Sequence, residues 1–253
     1  MTLKKIIHRM FHEPKTKSFA FANTTLAILT IVSVLVLILE TVARFEPYHE
    51  VFLIIEIIAV GSFTLEYIGR IVISEKKSRY LFSFFGIIDL LAVLPSYLLL
   101  TNLTFLKSAR LLHVIRILRI LRIVKLVESE RTTPHRSLGR HLFSLDIKVY
   151  CTILALAVTL LGSFLWATEP GNLGAENIPL AMLWVFQVIL GGVSPYPALS
   201  VWGDVIIVTT RFTGLLLFGF LVYIVGHRVD RFLYGDIDPT RPSSQLARQG
   251  KRR

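Results

Sequence analysis

Long apolar stretches, separated by short polar segments, follow one another along almost the whole of this 253-residue chain. A helix of roughly 20 apolar residues is long enough to cross the hydrocarbon core of a bilayer. Because 53% of the residues are hydrophobic, the chain is too apolar for an ordinary soluble domain. The sequence predicts an all-α membrane protein with six transmembrane helices, at residues 19–43, 50–73, 81–101, 110–125, 145–168 and 201–227.

The basic residues lie mainly in the segments between these stretches, and the chain has a formal net charge of +11. Loops rich in Lys and Arg stay on the cytoplasmic side of a membrane, whereas the other loops of this chain carry Glu residues. We therefore expect a multi-pass protein of the plasma (inner) membrane with both termini in the cytoplasm, and no nucleic-acid partner. The predicted cytoplasmic parts are an N-terminal segment at 1–18, a linker helix at 128–144 and a basic disordered tail at 236–253.

One of the apolar stretches, RLLHVIRILRILRIVK, carries a basic residue at almost every third position. An arginine in the lipid core costs at least ~2.5–3.5 kcal/mol, so such a helix needs compensating partners. A helix lying on the membrane surface would mix spacings of three and four, whereas a strict spacing of three stays in line only if the helix tightens toward a 3₁₀ helix. The strict series suits a helix whose charges pass one after another through a single point. Its members are Arg110, His113, Arg116, Arg119, Arg122 and Lys125.

Acidic residues inside two other stretches can supply the opposite charges. Glu56 and Phe63, seven residues apart on the second helix, share a face, and Glu66 follows Phe63 by about one turn on that face. Asp89 lies inside the third helix. A single carboxylate of this kind can have only a packing or helix-capping role, but ionisable groups inside a membrane are functional candidates by default. Three acids opposite one cationic helix favour a functional cluster.

These motifs resemble those of a known family. FTLEYIGR, IIDLLAVLPSY and the cationic series are similar to the voltage-sensing domain of voltage-gated potassium channels, and the resemblance covers roughly residues 20–235. It implies a four-helix voltage-sensing domain at 19–127 and a pore domain at 145–235. It also implies that the cations are voltage-sensing charges, that Arg110 extends the series outward, and that His113 replaces the usual arginine with a titratable group. The implied charge-transfer centre and counter-charges are Glu56, Phe63, Glu66 and Asp89.

The stretch IPLAMLWVFQVIL has only 13 residues, which is too short to cross a bilayer and predicts a re-entrant helix. By the resemblance, it is a pore helix with Trp184 at the usual tryptophan position, and Gly214 is the hinge of the last helix. Close helix packing is the alternative reason for Gly214. One pore helix and one pair of pore-lining helices per chain cannot enclose an axial pore, so we expect a homotetramer.

The loop after this pore helix departs from the family pattern. Potassium channels carry TVGYG there, because separated glycines allow a stack of carbonyl rings that replaces the hydration shell of the ion. This chain reads VILGGVSPYP, which lacks the threonine and the second, separated glycine. We therefore expect either a weakly selective opening or an apolar constriction. The filter-like residues are Ile189, Leu190, Gly191, Gly192 and Val193.

Arg211 lies inside the last apolar stretch, one turn before Gly214. If it faces the pore of a tetramer, four positive charges repel cations from the cavity. The alternative is an ion pair, either with Asp204 or with an acid on a neighbouring helix.

Together with the resemblance, these features predict a voltage-gated ion channel in contact with membrane lipids, conducting a monovalent ion with potassium as the family default. The alternative is a voltage-responsive protein with a non-conducting pore or a proton pathway through the sensor, which His113 and the altered filter favour.

The sequence contains no inverted repeat, nucleotide-binding glycine loop or catalytic cluster, so neither a transporter nor an enzyme is expected. Cys151 is the only cysteine, which excludes an intramolecular disulfide and a cysteine-rich metal site, and we expect no cofactor.

Overall fold

The computed structural model describes residues 17–74, 77–100, 109–124 and 138–234. Over these ranges the chain is helical and contains no β-strand, which confirms the predicted all-α class for this part of the protein. In chain order the α-helices are α1 (Lys17–Glu40), α2 (His49–Ile73), α3 (Lys77–Leu81), α4 (Phe84–Leu100), α5 (Ala109–Ile117), α6 (Leu138–Thr168), α7 (Ile178–Ile189) and α8 (Val201–Tyr234).

Short 3₁₀ helices occupy three positions between the α-helices of the described ranges. The second of them interrupts the helix expected at 110–125, because α5 ends at Ile117 and the chain then tightens to three residues per turn. Lys125 lies outside the described residues, as do the predicted N-terminal segment up to residue 16 and the tail from 236. The 3₁₀ helices are Ala43–Tyr48, Leu118–Arg122 and Leu173–Ala175.

Within the described ranges, three helices are long and apolar enough, by length and composition, to cross a membrane. Three further apolar helices are shorter than a full span. The chain is therefore a membrane protein, whereas six crossings stay a prediction. The long candidate spans are Ala43–Val72, which joins the first 3₁₀ helix to α2, Asp146–Thr168 in α6 and Val201–Val229 in α8, and the shorter apolar segments are Thr24–Glu40, Gly86–Pro95 and Ile178–Ile189.

The helices form two groups that share one apolar core. In the first group α1 packs on α2, α2 packs on α4, and α4 packs on α5 and on the 3₁₀ helix that follows it; in the second group α6, α7 and α8 pack on one another. Contacts of α5 with α6 and of α1 with α7 place the first group against the second within the same chain. Leu37 and Ile117 from the first group are buried in one cluster with Leu165 and Trp184 from the second. Burial of this shared apolar surface holds the two groups together.

Two boundaries in the second group bear on the sequence predictions. α6 begins at Leu138, so the last part of the predicted linker helix at 128–144 belongs to the same helix as the span that follows. α7 has 12 residues, close to the predicted 13, and it is capped by the preceding Asn177, whose side chain accepts a hydrogen bond from the N–H of Leu180 at 3.0 Å. A short, capped, apolar helix is therefore present at the predicted place, and its re-entrant position in the membrane stays a prediction.

Candidate functional site

The cationic series runs along α5 and the following 3₁₀ helix, and its second half faces acids of α2 and α4. From Leu118 to Arg122 the chain has the tighter 3₁₀ winding, in which side chains three residues apart lie above one another. Arg119 and Arg122 therefore project from the same side of the segment. Both are buried, with exposed fractions of 0% and 6%.

Arg119 is paired with Glu56 through two parallel hydrogen bonds. Nη1 donates to Oε2 and Nη2 donates to Oε1, and each of these distances is 2.8 Å. Nε of the same guanidinium donates to the carbonyl oxygen of Arg116 at 2.9 Å. A bidentate contact between a guanidinium and a carboxylate is among the strongest hydrogen-bonded contacts in proteins. Here it offsets the free-energy cost of removing both charges from water.

Arg122 lies one turn farther along and is held by three groups at once. Nη1 donates to Oε2 of Glu66 at 3.2 Å, and Nη2 forms an ion pair with Oδ1 of Asp89 at 3.1 Å. The guanidinium carbon lies 4.1 Å from the centre of the Phe63 ring, which is a cation–π contact. Phe63 and Asp89 are both fully buried. We call Phe63, Glu66 and Asp89, arranged around Arg122, the charge site.

Two residues that sequence reasoning missed border the charge site. Arg70 donates from Nε to Oε1 of Glu66 at 2.9 Å, so this carboxylate bridges two guanidinium groups. The spacing of four residues between Glu66 and Arg70 on one helix could have indicated this pair. Tyr80 donates from its hydroxyl to Oδ2 of Asp89 at 2.6 Å. No signal in the sequence pointed to Tyr80, because α3 is a short polar helix outside the apolar stretches.

The ionisation state of Tyr80 follows from its surroundings. Burial raises the pKa of the phenol, and the neighbouring Asp89 carboxylate raises it further, both by its charge and by the hydrogen bond. The hydroxyl therefore keeps its proton at physiological pH and acts as the donor. Asp89 has a phenol on one oxygen and a guanidinium on the other, an arrangement that suits a charged carboxylate.

The first two residues of the series contact other helices rather than the acids. Arg110 donates from Nη1 to the carbonyl oxygen of Trp166 at 2.8 Å, and its guanidinium carbon lies 4.8 Å from the centre of the Trp166 ring. Nε2 of His113 lies 2.7 Å from the carbonyl oxygen of Leu37, and it carries a proton, because a carbonyl oxygen can only accept. The His113 ring also meets the Trp166 ring edge-on at 5.6 Å. Arg110 thus continues the series along the helix, but it binds α6.

Arg116 stands between these two parts of the series. Its carbonyl oxygen accepts from Arg119, and its side-chain Nε is buried without a hydrogen-bond partner among the described residues. Lys125 lies beyond the last described residue of this segment, so its relation to the charge site stays a prediction. In the described part of the series, Arg119 and Arg122 bind the acids of α2 and α4. Arg110 and His113 instead contact α6 and α1.

α7 ends in a glycine cap. Gly191 has a φ of 85°, its N–H donates to the carbonyl oxygen of Val188 at 3.1 Å, and the N–H of Gly192 donates to that of Gln187 at 2.9 Å. This pair of bonds is the Schellman motif, which favours glycine at the left-handed position. The glycines expected in a filter-like loop therefore terminate the helix, and Ile189 is the last residue of α7 rather than part of a loop.

A family model matches both groups of helices. The model described as "Ion transport protein" covers residues 19–229, from the start of α1 into the last part of α8. The chain belongs to the ion transport protein family. This is a superfamily of voltage-gated-type ion channels, so the resemblance is confirmed at that level, while the potassium-specific assignment stays a prediction. No curated protein matches the chain significantly.

In this ion transport protein, Trp184 holds the segment that follows the glycine cap. Its Nε1 donates to Oγ of Ser194 at 2.8 Å, and that hydroxyl donates in turn to the carbonyl oxygen of Tyr196 at 2.8 Å. The Trp184 and Tyr196 rings meet edge-on at 5.5 Å. Trp184 is almost fully buried, so the loop after Val193 is anchored to the middle of α7.

The ion transport protein also has a buried carboxylate that the sequence analysis treated only as a loop acid. Glu169 follows α6 and accepts hydrogen bonds from Oγ of Ser200 at 2.6 Å, the N–H of Leu199 at 2.6 Å and Nδ2 of Asn172 at 2.9 Å. Burial raises the pKa of Glu169, but these bonds, with that of Ser200 first, outweigh burial and hold the pKa below its usual value. The carboxylate thereby joins the end of α6 to the start of α8.

Gly214 lies where α8 passes the end of α7. A Cβ atom at this position would lie 2.5 Å from the carbonyl oxygen of Ile189, so close helix packing accounts for the glycine in this structure. α8 is one unbroken helix from Val201 to Tyr234. A hinge at Gly214 stays a prediction.

Arg211 lines a mostly apolar pocket of about 690 Å³ between the end of α7 and one face of α8. Its side chain is exposed, and within the described part of the chain it forms no ion pair with Asp204. Of the two roles considered for Arg211, the intrachain pair with Asp204 is therefore absent from this structure. The pocket is bordered by the filter-like residues Ile189, Leu190, Gly191, Gly192 and Val193.

Proposed function

We propose that the chain is a subunit of a voltage-gated ion channel, in which the membrane potential moves the cationic helix and controls a pore formed by α6, α7 and α8. The observation that carries the proposal is the pairing of Arg119 and Arg122 with acids inside an apolar bundle. Buried charges are costly unless they are paired, and charges between membrane helices are usually functional. In this proposal the α3 end of the bundle faces the cytoplasm, because the segment SEKKSRY between α2 and α4 is basic.

The charge site is proposed as the narrow point past which the cations move. With three residues per turn, each cation takes the place of its neighbour when the segment slides by one 3₁₀ turn along its axis. Moving one charge through the membrane potential is worth about 2.3 kcal/mol per 100 mV. Several charges in each of four subunits therefore supply tens of kcal/mol, which is enough to drive a conformational change. The proposed moving charges are Arg116, Arg119, Arg122 and Lys125, with His113 and Arg110 at the outer end.

Four chains are proposed to surround the pore axis. Leu215 and Phe218 of α8 are 69% and 65% exposed in the single chain, and both border the pocket at the end of α7. An exposed apolar face of a membrane helix contacts either lipid or protein, and we propose that this face, beside the pocket that Arg211 lines, contacts a second copy of the chain. Because α5 contacts α6 of the same chain, the proposed tetramer is not domain-swapped.

The proposed pore is not a highly selective potassium filter. Such a filter needs consecutive carbonyl groups that point toward the ion in stacked rings. In this chain the N–H groups of Gly191 and Gly192 donate hydrogen bonds to carbonyl oxygens in the last turn of α7, and Ile189 belongs to that helix. Val193, the next residue, is β-branched and 87% exposed. These features support a weakly selective opening or an apolar constriction, with potassium as the default permeant ion by resemblance.

A voltage-responsive protein with a non-conducting pore is the second proposal, and Arg211 motivates it. If the pocket face of α8 lines the axial cavity, four guanidinium groups repel cations there. His113 would then supply a titratable group for a proton pathway through the sensor.

Planar bilayers containing the purified full-length protein separate the two proposals. With gradients of potassium, sodium and chloride across the membrane, the channel proposal expects voltage-dependent current whose reversal potential does not follow potassium alone. Gating current without ionic current would favour the second proposal. Arg211→Gln is the informative variant, because it should raise cation conductance if Arg211 lines the pore. Loss of both currents in a folded, reconstituted protein would contradict both proposals.

A further inference from the structure

Tyr80 reaches the charge site from outside the long apolar helices. It lies on α3, the short helix between α2 and α4, and its hydroxyl donates to Oδ2 of Asp89 at 2.6 Å. The other oxygen of the same carboxylate, Oδ1, lies 3.1 Å from Nη2 of Arg122. Asp89 is 0% exposed, so bulk water does not compete for it. One buried carboxylate is thus divided between a phenol and a cation of the series.

A tight turn fixes the position of Tyr80. Oγ of Ser83 donates to the carbonyl oxygen of Tyr80 at 2.7 Å and accepts from the N–H of Gly86 at 3.1 Å. The N–H of Ser83 donates to the same carbonyl oxygen at 3.0 Å. A Cβ atom at Gly86 would overlap that oxygen, so only glycine allows this approach. The turn therefore fixes the backbone at Tyr80 independently of Asp89, and so fixes the point from which the phenol reaches the charge site.

Tyr80 also lies on the path by which the series would leave the charge site. The acids along α2 pair with Arg119 first and with Arg122 second, so the series and α2 advance in the same direction. Beyond the charge site in that direction come the end of α2 and then α3. A cation that moves past Asp89 in that direction therefore moves toward α3, which carries the phenol.

We propose that Tyr80 is a positioning residue of the charge site, whose hydroxyl holds Asp89 in the orientation that receives Arg122 and releases Asp89 when Arg122 moves past it toward the cytoplasm. The proposal rests on the voltage-driven movement proposed above. In this proposal the position of the series with Arg122 at the charge site is the outward state, which the hydrogen bond stabilises, and the bond is broken in the inward state. It is therefore a latch on the outward state.

Gating currents of the full-length protein in a cell membrane test the latch. Tyr80→Phe removes one hydroxyl and keeps the ring, so the packing changes little. We expect the midpoint of the charge–voltage curve to shift to more depolarised potentials, and the return of charge on repolarisation to become about tenfold faster, as for loss of one hydrogen bond to a charged group. The total displaced charge should stay the same, because no cation is removed.

Tyr67→Phe is the matched control. The ring of Tyr67 lies 6.4 Å from that of Tyr80, but in the described structure it is the hydroxyl of Tyr80 that binds Asp89. The control should reproduce the curve of the parent. Ser83→Ala is a second variant, which loosens the turn and keeps both tyrosines. It should shift the curve in the same direction as Tyr80→Phe by a smaller amount.

The outcomes distinguish this proposal from the proposed function. A parent protein without voltage-dependent charge displacement overturns the proposed function, and the role of Tyr80 with it. With a normal parent, an unchanged curve for Tyr80→Phe, a shift to hyperpolarised potentials, or an equal shift for Tyr67→Phe overturns the role of Tyr80 alone. If Tyr80→Phe does not reach the membrane, the charge–voltage curve of Ser83→Ala tests the proposal instead. An unchanged curve for Ser83→Ala then overturns the latch.

Discussion

The guanidinium of Arg110 lies over the ring of Trp166, 4.8 Å from its centre, and donates a hydrogen bond of 2.8 Å to the carbonyl oxygen of the same residue. Trp166 is itself fixed, because its Nε1 donates to the carbonyl oxygen of Glu176 at 3.3 Å and only 9% of the residue is exposed. The first residue of the cationic series is thereby attached to α6 of its own chain. The other end of the described series lies among the acids of α2 and α4.

This division predicts different roles for the first and last arginines. Arg110→Gln should lower the total gating charge less than Arg122→Gln, because Arg110 lies at the first turn of the series, beside Trp166 and away from the charge site. Arg122→Gln should lower the gating charge, because Arg122 occupies the charge site. Integrated gating currents, normalised to the number of channels, measure both variants. Equal losses of charge would show that Arg110 also moves through the field.

Asp89→Asn should destabilise the folded protein by about 3–5 kcal/mol, because the buried guanidinium of Arg122 loses one of its two carboxylate partners. Thermal or denaturant unfolding of the detergent-solubilised protein measures the change. Glu50→Gln is the control, since Glu50 is exposed in the first turn of α2 and should change stability by less than about 0.5 kcal/mol. Similar losses in the two variants would mean that the charge site contributes no buried ion pair.

Glu169 should make the stability of the protein depend on pH. Burial raises the pKa of Glu169, but hydrogen bonds, led by that of Ser200, lower it by more, so the folded-state pKa lies below the unfolded value of about 4.3. The resulting stabilisation is complete above the unfolded-state pKa and is lost as the pH falls through the folded-state pKa. Glu169→Gln should therefore lower the unfolding temperature at neutral pH, and its deficit should shrink below about pH 4.

Unfolding temperatures of the parent and of Glu169→Gln between about pH 3 and pH 8 test this dependence. Glu176→Gln changes an exposed acid in the same loop, so its unfolding temperature relative to the parent should not change between these pH values. A deficit that stays constant over the whole range would indicate that Glu169 is uncharged in the folded protein.

Gly214→Ala should destabilise the contact between α7 and α8, because the added Cβ would lie 2.5 Å from the carbonyl oxygen of Ile189. Gly219→Ala is the matched control on the same helix, where no atom lies within 4 Å of the new Cβ. Replacing a helical glycine by alanine there should be neutral or stabilising by up to about 1 kcal/mol. Unfolding temperature and pore current measure both variants. Unchanged stability with altered gating in Gly214→Ala would support the hinge instead.

The charge site could largely be predicted from the sequence, because its signals are local and periodic. A basic residue at every third position, and acids at helical spacing on another stretch, are visible without any tertiary information. A membrane forces such charges to find partners, so contact between the series and the acids follows. Which cation meets which acid depends on how far the helices are displaced along one another. The pairs Arg119–Glu56 and Arg122–Glu66 therefore required the structure.

The pair Gly191–Gly192 illustrates a motif whose meaning the sequence leaves open. Glycine is favoured wherever the backbone takes a positive φ, and both a filter turn and a helix cap meet that condition. The hydrogen bonds to the carbonyl oxygens of Gln187 and Val188 assign the pair to the end of α7. Those bonds depend on where α7 stops, which composition alone does not indicate.

By itself the sequence determined the helical class, the membrane environment, the channel family and the chemistry of the cationic series, because apolar length and charge spacing are properties of neighbouring residues. Only the tertiary structure decided that Tyr80 reaches Asp89, 9 positions away, and that Arg110 binds Trp166, 56 positions away. Such contacts join separate elements. They depend on the packing of one helix against another, and no spacing within a single helix encodes that packing.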